Sequence, residues 1–358
     1  RAETALRSEL EKTMNYKKLL SAVLFLGLAA LTFYVVFKEQ NFGELLTAIK
    51  GMQKGYLLAA ALIAVFFVSA EGILIWYLLR AIGDRASLFS CLKYSFTGFF
   101  YSGITPSATG GQPMQLYYMS KDGHKVADST VVLMSVATAY KFVLVVMGIG
   151  ISVFWWGGLK RYLGEYLPLY FLGLFLNAAL VVILLAIMLN GPGMERFLCG
   201  AERLLVKLHL LKHSEKRRES IHNLVGQYQE TVQFIKSHGR VLAFLVGFTF
   251  VQRCSVFVLT YFVYRGMGFH TANAFTIMAL QAVVYIAVDM LPLPGSQGIT
   301  ELMYAAVFRD IFLGSSLTVS MCVSRGLNFY MLLIISAMVA AYCWWQAGRK
   351  GKKAVKKI

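Results

Sequence analysis

The chain has 358 residues, of which 58% are hydrophobic and only 15% are charged, and its mean hydropathy is +0.61. A soluble domain of this length has no need of so much apolar surface, so the composition excludes a water-soluble globular protein and indicates an all-α polytopic membrane protein. The net charge of +17 does not indicate nucleic-acid binding, because the basic residues flank apolar segments and do not alternate with aromatic residues on a polar surface.

Six apolar runs are long enough to cross a bilayer, for which a helix needs about 20 residues. They cover residues 19–37, 56–79, 126–155, 169–189, 241–264 and, less sharply bounded, 317–345. If both termini are cytoplasmic, the cytoplasmic segments hold 25 of the 35 Lys and Arg residues, whereas the external loops hold seven. The excess of positive charge on the inner side therefore predicts a multi-pass protein with both termini in the cytoplasm.

Two further apolar stretches are each interrupted by a run rich in Pro and Gly, residues 105–113 and residues 291–298. The flanking limbs are residues 88–104 and 114–120 in the first stretch, and 272–290 and 299–313 in the second. Each limb is short for a full crossing, which predicts two re-entrant or broken helical hairpins, with proline-kinked helices as the alternative. The first hairpin then enters from the cytoplasm and the second from outside, an inverted-repeat arrangement typical of secondary transporters.

The predicted organisation is a single transmembrane domain, residues 19–347, between a cytoplasmic amphipathic N-terminus, residues 1–18, and a basic cytoplasmic tail, residues 348–358. Residues 191–240 are predicted to form a cytoplasmic loop of two amphipathic helices. In the second helix one face is apolar and consists of Ile221, Leu224, Val225, Tyr228, Val232 and Ile235. This pattern favours a helix on the cytoplasmic membrane surface, with a docking site for a partner as the alternative.

Six ionisable residues fall inside the apolar segments, where inserting each one costs about 2.5–3.5 kcal/mol. They are Glu71, Lys141, Arg253, Asp289, Glu301 and Arg325. Three cations balance three anions, which suits either internal pairing or a ligand with both signs, such as a headgroup with a phosphate and an amine. Arginine suits phosphate because its planar guanidinium donates two parallel hydrogen bonds.

Two arginines are the first candidates for contact with such a ligand. Arg253 lies in the middle of its span and is predicted either to contact the ligand or to pair with Asp289. Arg325 shares a polar stripe with Ser324 and Asn328 in the last span, which favours a ligand contact.

The other ionisable residues have equally plain structural explanations. Glu301 begins the helix after the second break, where a carboxylate stabilises a helix N-terminus as readily as it contacts a substrate. Glu71 lies in the cytoplasmic half of its span, so its side chain is expected to reach the interface. Lys141 follows Tyr140 and is expected to be interfacial or paired.

The two breaks offer hydrogen-bonding groups without charge. Helices that start after Gln112 and Gly298 expose backbone N–H groups that attract phosphate or carboxylate, and glycines permit close approach or positive φ. The candidate binding residues of the breaks are Thr105, Pro106, Thr109, Gly110, Gly111, Gln112, Pro294, Gly295, Gln297 and Gly298. A structural hinge with internally satisfied polar groups is the alternative.

Motifs of nucleotide, metal and serine-hydrolase chemistry are absent from the sequence, which contains no P-loop, HExxH or GxSxG pattern. The five cysteines are scattered without CxxC or Cys/His spacing and are expected to serve as packing residues. We therefore predict no catalytic residue, no metal and no cofactor.

Three segments resemble a known family: SGITPSATGGQPMQ at residues 102–115, LPLPGSQGITE at 291–301 and SRGLNFY at 324–330. They are similar to the lysylphosphatidylglycerol synthase transmembrane region, also called the flippase-like domain family, and the resemblance extends over nearly the whole chain. This family forms the membrane half of the multiple peptide resistance factor. The resemblance implies a bacterial cytoplasmic-membrane protein that moves aminoacylated phosphatidylglycerol, or a related lipid, to the outer leaflet and thereby gives resistance to cationic antibiotic peptides.

One departure limits what the resemblance implies. The full-length resistance factor carries a soluble aminoacyl-transferase domain after its membrane part, where this sequence has only a basic tail. Stand-alone members of the family have diverse or unassigned substrates, including glycolipids and polyprenol-linked sugars. A family label such as phosphatidylglycerol lysyltransferase therefore names chemistry for which this sequence offers no site.

Together these features predict a lipid flippase, in which Arg253 and Arg325 contact the phosphate and Asp289 and Glu301 contact an amino or hydroxyl group. The first alternative is a membrane-embedded transferase that acts on a lipid-linked substrate, with Glu71 or Asp289 as its carboxylate. The second is a non-catalytic membrane subunit of a lipid synthase. The expected partners are a phospholipid or glycolipid substrate and anionic lipids at the cytoplasmic face, and the sequence leaves open a separate aminoacyl-lipid synthase and a homodimer.

Overall fold

The computed structural model describes residues 47–105, 108–200, 215–291, 298–312 and 314–355, with the exception of residues 48, 192, 194, 197 and 198. Its regular structure is helical, and these residues contain no strand, as the predicted fold class requires. In chain order the main helices are α1 Lys54–Ala81, α2 Leu88–Ile104, α3 Gly111–Lys121, α4 Val126–Phe154, α5 Trp156–Leu163, α6 Leu167–Leu189, α7 Glu215–Ser237, α8 Gly239–Gly266, α9 Ala274–Val288, α10 Ile299–Phe308, α11 Ser315–Arg325 and α12 Leu332–Val355.

Five helical segments of the described residues are long and apolar enough to cross a membrane. They are Lys54–Ala81, Val126–Phe154, Trp156–Leu189, Gly239–Gly266 and Ser315–Gln346. Four of them contain a predicted span and extend it by a few residues, or by the short helix α5 in the third case, whereas Val126–Phe154 ends one residue before the predicted span 126–155. The remaining predicted span, residues 19–37, lies outside the described residues.

The first Pro/Gly run separates two helices that fold back on each other. Thr105 ends α2 in an extended conformation, with φ −112° and ψ 146°, because the following proline disfavours the helical region for the residue before it. Gly98 of α2 lies against Gln115 of α3, and Gly111 of α3 lies against Ser102 of α2. These contacts pair residues at equal distances from the break, so α2 and α3 form a hairpin and the alternative of a kinked helix is wrong.

The second Pro/Gly run also separates two packed helices. The helix α9 ends at Val288, and α10 begins at Ile299 after Gly298, whose φ of +78° lies in a region that favours glycine. The two helices pack against each other, and α9 also packs against α4, α6 and α8. The prediction of two broken helical hairpins is therefore confirmed.

The two hairpins open at opposite ends of the helix bundle. At the C-terminal end of α1, Asp84 contacts His124 at 2.7 Å, which joins the segment before α2 to the segment after α3. At the N-terminal end of α1, the Gln53 N–H donates to the carbonyl of Gly266 at 2.9 Å. The ring of Tyr264, near that end of α8, contacts the ring of Phe312 just after α10, with centroids 5.6 Å apart. The two hairpins therefore enter the bundle from opposite directions, as predicted.

The amphipathic helix α7 differs from its prediction. Val225, Tyr228, Val232 and Ile235 are buried against Ala127, Val131 and Met188 of α4 and α6. A hydrogen bond of 2.6 Å from the Thr231 hydroxyl to the Asp128 carboxylate joins α7 to α4. The predicted apolar face therefore exists, but the expectation that it rests on the membrane surface is wrong, because the protein's own helices cover it.

Candidate functional site

The charged residues of the spans converge on one cavity of about 160 Å³ between the two hairpins and the long helices. Both hairpins contribute to it, through Phe99 of α2 and through residues of α9 and α10. Two arginines and one carboxylate lie among five aromatic rings in its wall. The described lining residues are Phe67, Phe99, Tyr140, Arg253, Tyr285, Val288, Asp289, Thr300, Arg325, Asn328 and Phe329.

Arg253 reaches this cavity from the middle of α8 and is 6% exposed. Its guanidinium carbon lies 4.5 Å from the ring centre of Phe67 and 3.9 Å from that of Tyr140, so two aromatic faces stabilise the charge. The buried Nε atom has no hydrogen-bond partner among the described residues. The predicted pair between Arg253 and Asp289 is therefore wrong, although Tyr140 contacts both residues.

Asp289 follows α9 directly and is paired with a residue other than the one predicted. The Lys141 ammonium and the Tyr140 hydroxyl, both on α4, donate to its two carboxylate oxygens. The side chains of Lys141 and Asp289 are 12% and 15% exposed, so both charges are largely shielded from solvent. Of the two roles that the sequence left open for Lys141, the structure supports pairing.

Arg325 lies at the end of α11 and donates from Nε to the Glu301 carboxylate at 2.9 Å. This ion pair links α11 to the first turn of α10. The segment Gly326–Met331 that follows Arg325 is a π-helix, a local widening that is frequent at functional sites. Asn328 lies in this segment, is 6% exposed and lines the cavity, and its Oδ1 atom has no partner among the described residues.

Glu71 lies beside the cavity wall but not in it. Its carboxylate accepts a hydrogen bond of 2.6 Å from the Gln115 amide of α3, which joins the first hairpin to α1. Arg253 is near enough to interact with it electrostatically. The expectation that Glu71 reaches the membrane interface is therefore wrong.

The tip of the first hairpin is held together by local hydrogen bonds. The Thr105 hydroxyl donates to the carbonyl of Tyr101 at 2.7 Å and accepts from the Gly110 N–H at 2.9 Å. Thr109 and Gln112 are exposed, whereas Gly111 is buried against α2. None of these candidates lines the cavity described above, and neither do Gly298 and Glu301, which lie near the lining residue Thr300 in the chain. The candidates Pro106, Pro294, Gly295 and Gln297 lie outside the described residues.

Sequence reasoning missed the aromatic wall of the cavity and the partner of Asp289. Phe67, Tyr140, Tyr285 and Phe329 carry no distinguishing signal, because the chain contains 26 Phe and 19 Tyr residues in all. The one available signal was the position of Tyr140 beside a lysine in the middle of a span.

The part of the chain that the structure describes offers few other candidates for a metal site or a reactive thiol. It contains no group of three or more His, Cys, Asp or Glu side chains that could hold a metal ion. Cys91 and Cys343 are free thiols buried among apolar side chains, which fits the predicted packing role. The arrangement around the cavity is therefore suited to recognition of a polar, charged group within an apolar bundle.

Comparison with known proteins agrees with this picture of a polytopic membrane protein. Residues 19–336 match the model of the family described as the lysylphosphatidylglycerol synthase TM region. Over 296 residues the chain is 22% identical to a UPF0104 membrane protein of Archaeoglobus fulgidus, covering 78% of this chain and 86% of that protein. Over 282 residues it is 22% identical to a UPF0104 membrane protein of Pyrococcus horikoshii, covering 75% and 82% of the two chains. The chain therefore belongs to the family of the lysylphosphatidylglycerol synthase TM region.

Proposed function

We propose that this protein is a lipid flippase that moves the headgroup of an aminoacylated phosphatidylglycerol, or of a related phospholipid or glycolipid, from the inner to the outer leaflet. The headgroup crosses through the polar cavity while the acyl chains remain in the surrounding lipid. The family name, which refers to lysylphosphatidylglycerol, supports a lipid of this class as the substrate.

The observation that carries this proposal is the composition of the cavity wall. Arg253 and Arg325 supply donors for a phosphate, and Asp289 and Asn328 supply acceptors, all within one cavity of about 160 Å³ in an otherwise apolar bundle. Ionisable residues at this depth are costly to insert and commonly mark a substrate pathway. Binding sites between broken helices near the middle of the membrane are typical of transporters.

The location and the partners belong to the same proposal. The protein would lie in the bacterial cytoplasmic membrane with both termini in the cytoplasm, and the basic loop and tail would contact anionic lipids there. A separate aminoacyl-lipid synthase would supply the substrate, and transport of its product would give resistance to cationic peptides. The transmembrane domain, residues 19–347, would carry the transport function.

A liposome assay tests the proposal directly. Purified protein is reconstituted with fluorescent aminoacyl, plain or glycosylated phospholipid, and dithionite is added to bleach the label that is exposed outside. A flippase raises the bleached fraction beyond the outer-leaflet share, whereas protein-free liposomes bleach only that share. No movement of any lipid, under conditions where the protein remains folded, would reject the proposal.

Two arginine variants test whether translocation depends on the cavity. Arg253→Gln and Arg325→Gln are each expected to slow translocation at least tenfold, because each removes donors that face the headgroup. Arg265→Gln is the matched control, since Arg265 lies at the end of the same helix as Arg253, beside Tyr261 and Tyr56 and away from the cavity. New lipid product without movement would instead favour the transferase, for which Asp289 is the one carboxylate among the described lining residues.

A further inference from the structure

The polar groups around the cavity divide into those that already have partners and those that do not. The carboxylate of Asp289 is engaged on both oxygens, by Lys141 and by Tyr140. By contrast, Arg253 and Asn328 are each 6% exposed, and each has a buried polar atom without a hydrogen-bond partner among the described residues. Among the lining residues, these two side chains therefore have hydrogen-bonding capacity that the described part of the protein does not itself use.

The aromatic contacts of Arg253 do not use its hydrogen-bond donors, which an anion would bind. Phe67 and Tyr140 contact the guanidinium through their ring faces, which provide no hydrogen-bond acceptor in the guanidinium plane. The N–H groups of arginine lie in that plane, and they form the fork that binds phosphate through two parallel hydrogen bonds. The nearby carboxylate of Glu71 is hydrogen-bonded to Gln115 and makes no hydrogen bond to Arg253.

Besides the donors of Arg253, the site has hydrogen-bond acceptors without a partner. The Oδ1 atom of Asn328 and the Oε2 atom of Glu301 are buried and have no donor among the described residues. A hydroxyl group satisfies such acceptors without bringing a charge into the bundle. An ammonium group would need a free carboxylate, but Asp289 is neutralised by Lys141, and Glu301 already binds Arg325 through its other oxygen.

We infer that the cavity selects a phosphodiester headgroup whose remaining polar groups are hydroxyls, with the phosphate at Arg253 and a hydroxyl at Asn328. This inference rests on the proposed function and deepens it: of the lipids named there, it retains the phospholipids and glycolipids without an amine and excludes aminoacylated phosphatidylglycerol. Headgroups that carry an ammonium bind more weakly, because the carboxylates of Asp289 and Glu301 are already paired with Lys141 and Arg325 and leave no free anion for the ammonium, whereas Arg253 has no ion-pair partner among the described residues and repels it. Two lipid sources fit this chemistry, namely phosphatidylglycerol and a lipid that bears a sugar or cyclitol phosphate.

Native mass spectrometry of the full chain in detergent measures this selectivity without requiring transport. The protein is mixed with equal amounts of short-chain phosphatidylglycerol, phosphatidylinositol, phosphatidylethanolamine, lysylphosphatidylglycerol and phosphatidylmethanol, and the bound lipids are counted. Phosphatidylglycerol or phosphatidylinositol is expected to be bound at least tenfold over the two amine-bearing lipids. The ratio between these two distinguishes the lipid sources, and glycerol phosphate added alone tests whether the acyl chains are needed.

Single substitutions test whether Arg253 and Asn328 determine this selectivity. Arg253→Gln should lower phosphatidylglycerol binding by about 10- to 100-fold, with partial recovery in Arg253→Lys, which keeps the charge but not the planar fork. Asn328→Leu should instead reduce the preference for phosphatidylglycerol over phosphatidylmethanol, which lacks hydroxyls, by about threefold to tenfold. Arg265→Gln should leave both values unchanged, and melting temperatures report whether each variant is folded.

The outcomes separate this inference from the proposed function. A preference for lysylphosphatidylglycerol or phosphatidylethanolamine, or full binding by a folded Arg253→Gln variant, would overturn the inference even if liposomes show translocation. Selective binding that depends on Arg253, together with no translocation of any lipid, would uphold the binding site and reject the flippase.

Discussion

The contact between Lys141 and Asp289 joins two residues that are 148 positions apart in the chain. Both side chains are shielded from solvent, and the Tyr140 hydroxyl adds a second donor to the same carboxylate. A buried charge is stable only while its partner remains, because an unpaired ion loses the interactions that replaced water. This pair therefore fixes the end of α9 against the middle of α4.

Removing either member of this pair should destabilise the protein strongly. We expect Lys141→Met and Asp289→Leu each to lower the free energy of unfolding by about 3–5 kcal/mol, since each leaves one charge without its partner. The double variant should lose less than the sum, and part of its remaining loss should come from the unpaired Tyr140 hydroxyl. Reversible unfolding in detergent measures the four values, with the exposed Lys160→Met as control. Strict additivity would contradict a direct pair.

At the scale of elements, the first hairpin depends on close approach of α2 and α3. A side chain at Gly98 would overlap the amide of Gln115, and that same amide donates to Glu71 of α1. Glycine at this position therefore lets α3 approach α2 while Gln115 remains bonded to α1. In a continuous helix the two residues would be about 25 Å apart and could not interact.

This geometry predicts an energetic coupling across the hairpin. Gly98→Ala should lower the free energy of unfolding by about 1–3 kcal/mol, because the added methyl group displaces Gln115. In a background of Gln115→Ala the same change should cost less, with a coupling of about 0.5–3 kcal/mol. Gly150→Ala is the matched control, since a Cβ at that position meets only open space. Equal costs in both backgrounds would argue against the hairpin.

At the scale of the whole molecule, the two hairpins enter from opposite ends of the bundle and contribute to one cavity. The hairpin α2–α3 contributes Phe99, while α9 and α10 contribute Tyr285, Val288 and Thr300. The long helices α1, α4 and α8 add Phe67, Tyr140 and Arg253 to the same wall. Residues that are far apart in the chain therefore form one site only when both hairpins are in place.

Labelling of single cysteines tests this arrangement together with the predicted orientation. In a chain without its five native cysteines, Lys125→Cys and His270→Cys occupy exposed positions at opposite ends of the bundle. A membrane-impermeant maleimide should label His270→Cys in intact cells and Lys125→Cys only after permeabilisation. The reverse pattern would keep the opposite entry but invert the orientation, and labelling of both from one side would contradict opposite entry.

The sequence by itself determined that this is a polytopic membrane protein. It also determined the five spans that lie in the described residues and the two breaks that divide the hairpins. Apolar length decides whether a helix can cross a bilayer, and proline and glycine end helices through local sterics, so both signals are readable along the chain. The residues Arg253, Asp289, Arg325 and Asn328 could also be singled out, because polar side chains in apolar spans are rare and costly.

Only the tertiary structure decided which of these residues meet and which remain without partners. Pairing of Asp289 with Lys141, and not with Arg253, depends on how α4, α8 and α9 pack, and helical periodicity within one span does not encode that choice. The same packing covers the apolar face of α7 with protein and assigns the Gln115 amide to Glu71. Side-chain partners in a membrane protein follow from contacts between distant helices, whereas the spans follow from local composition.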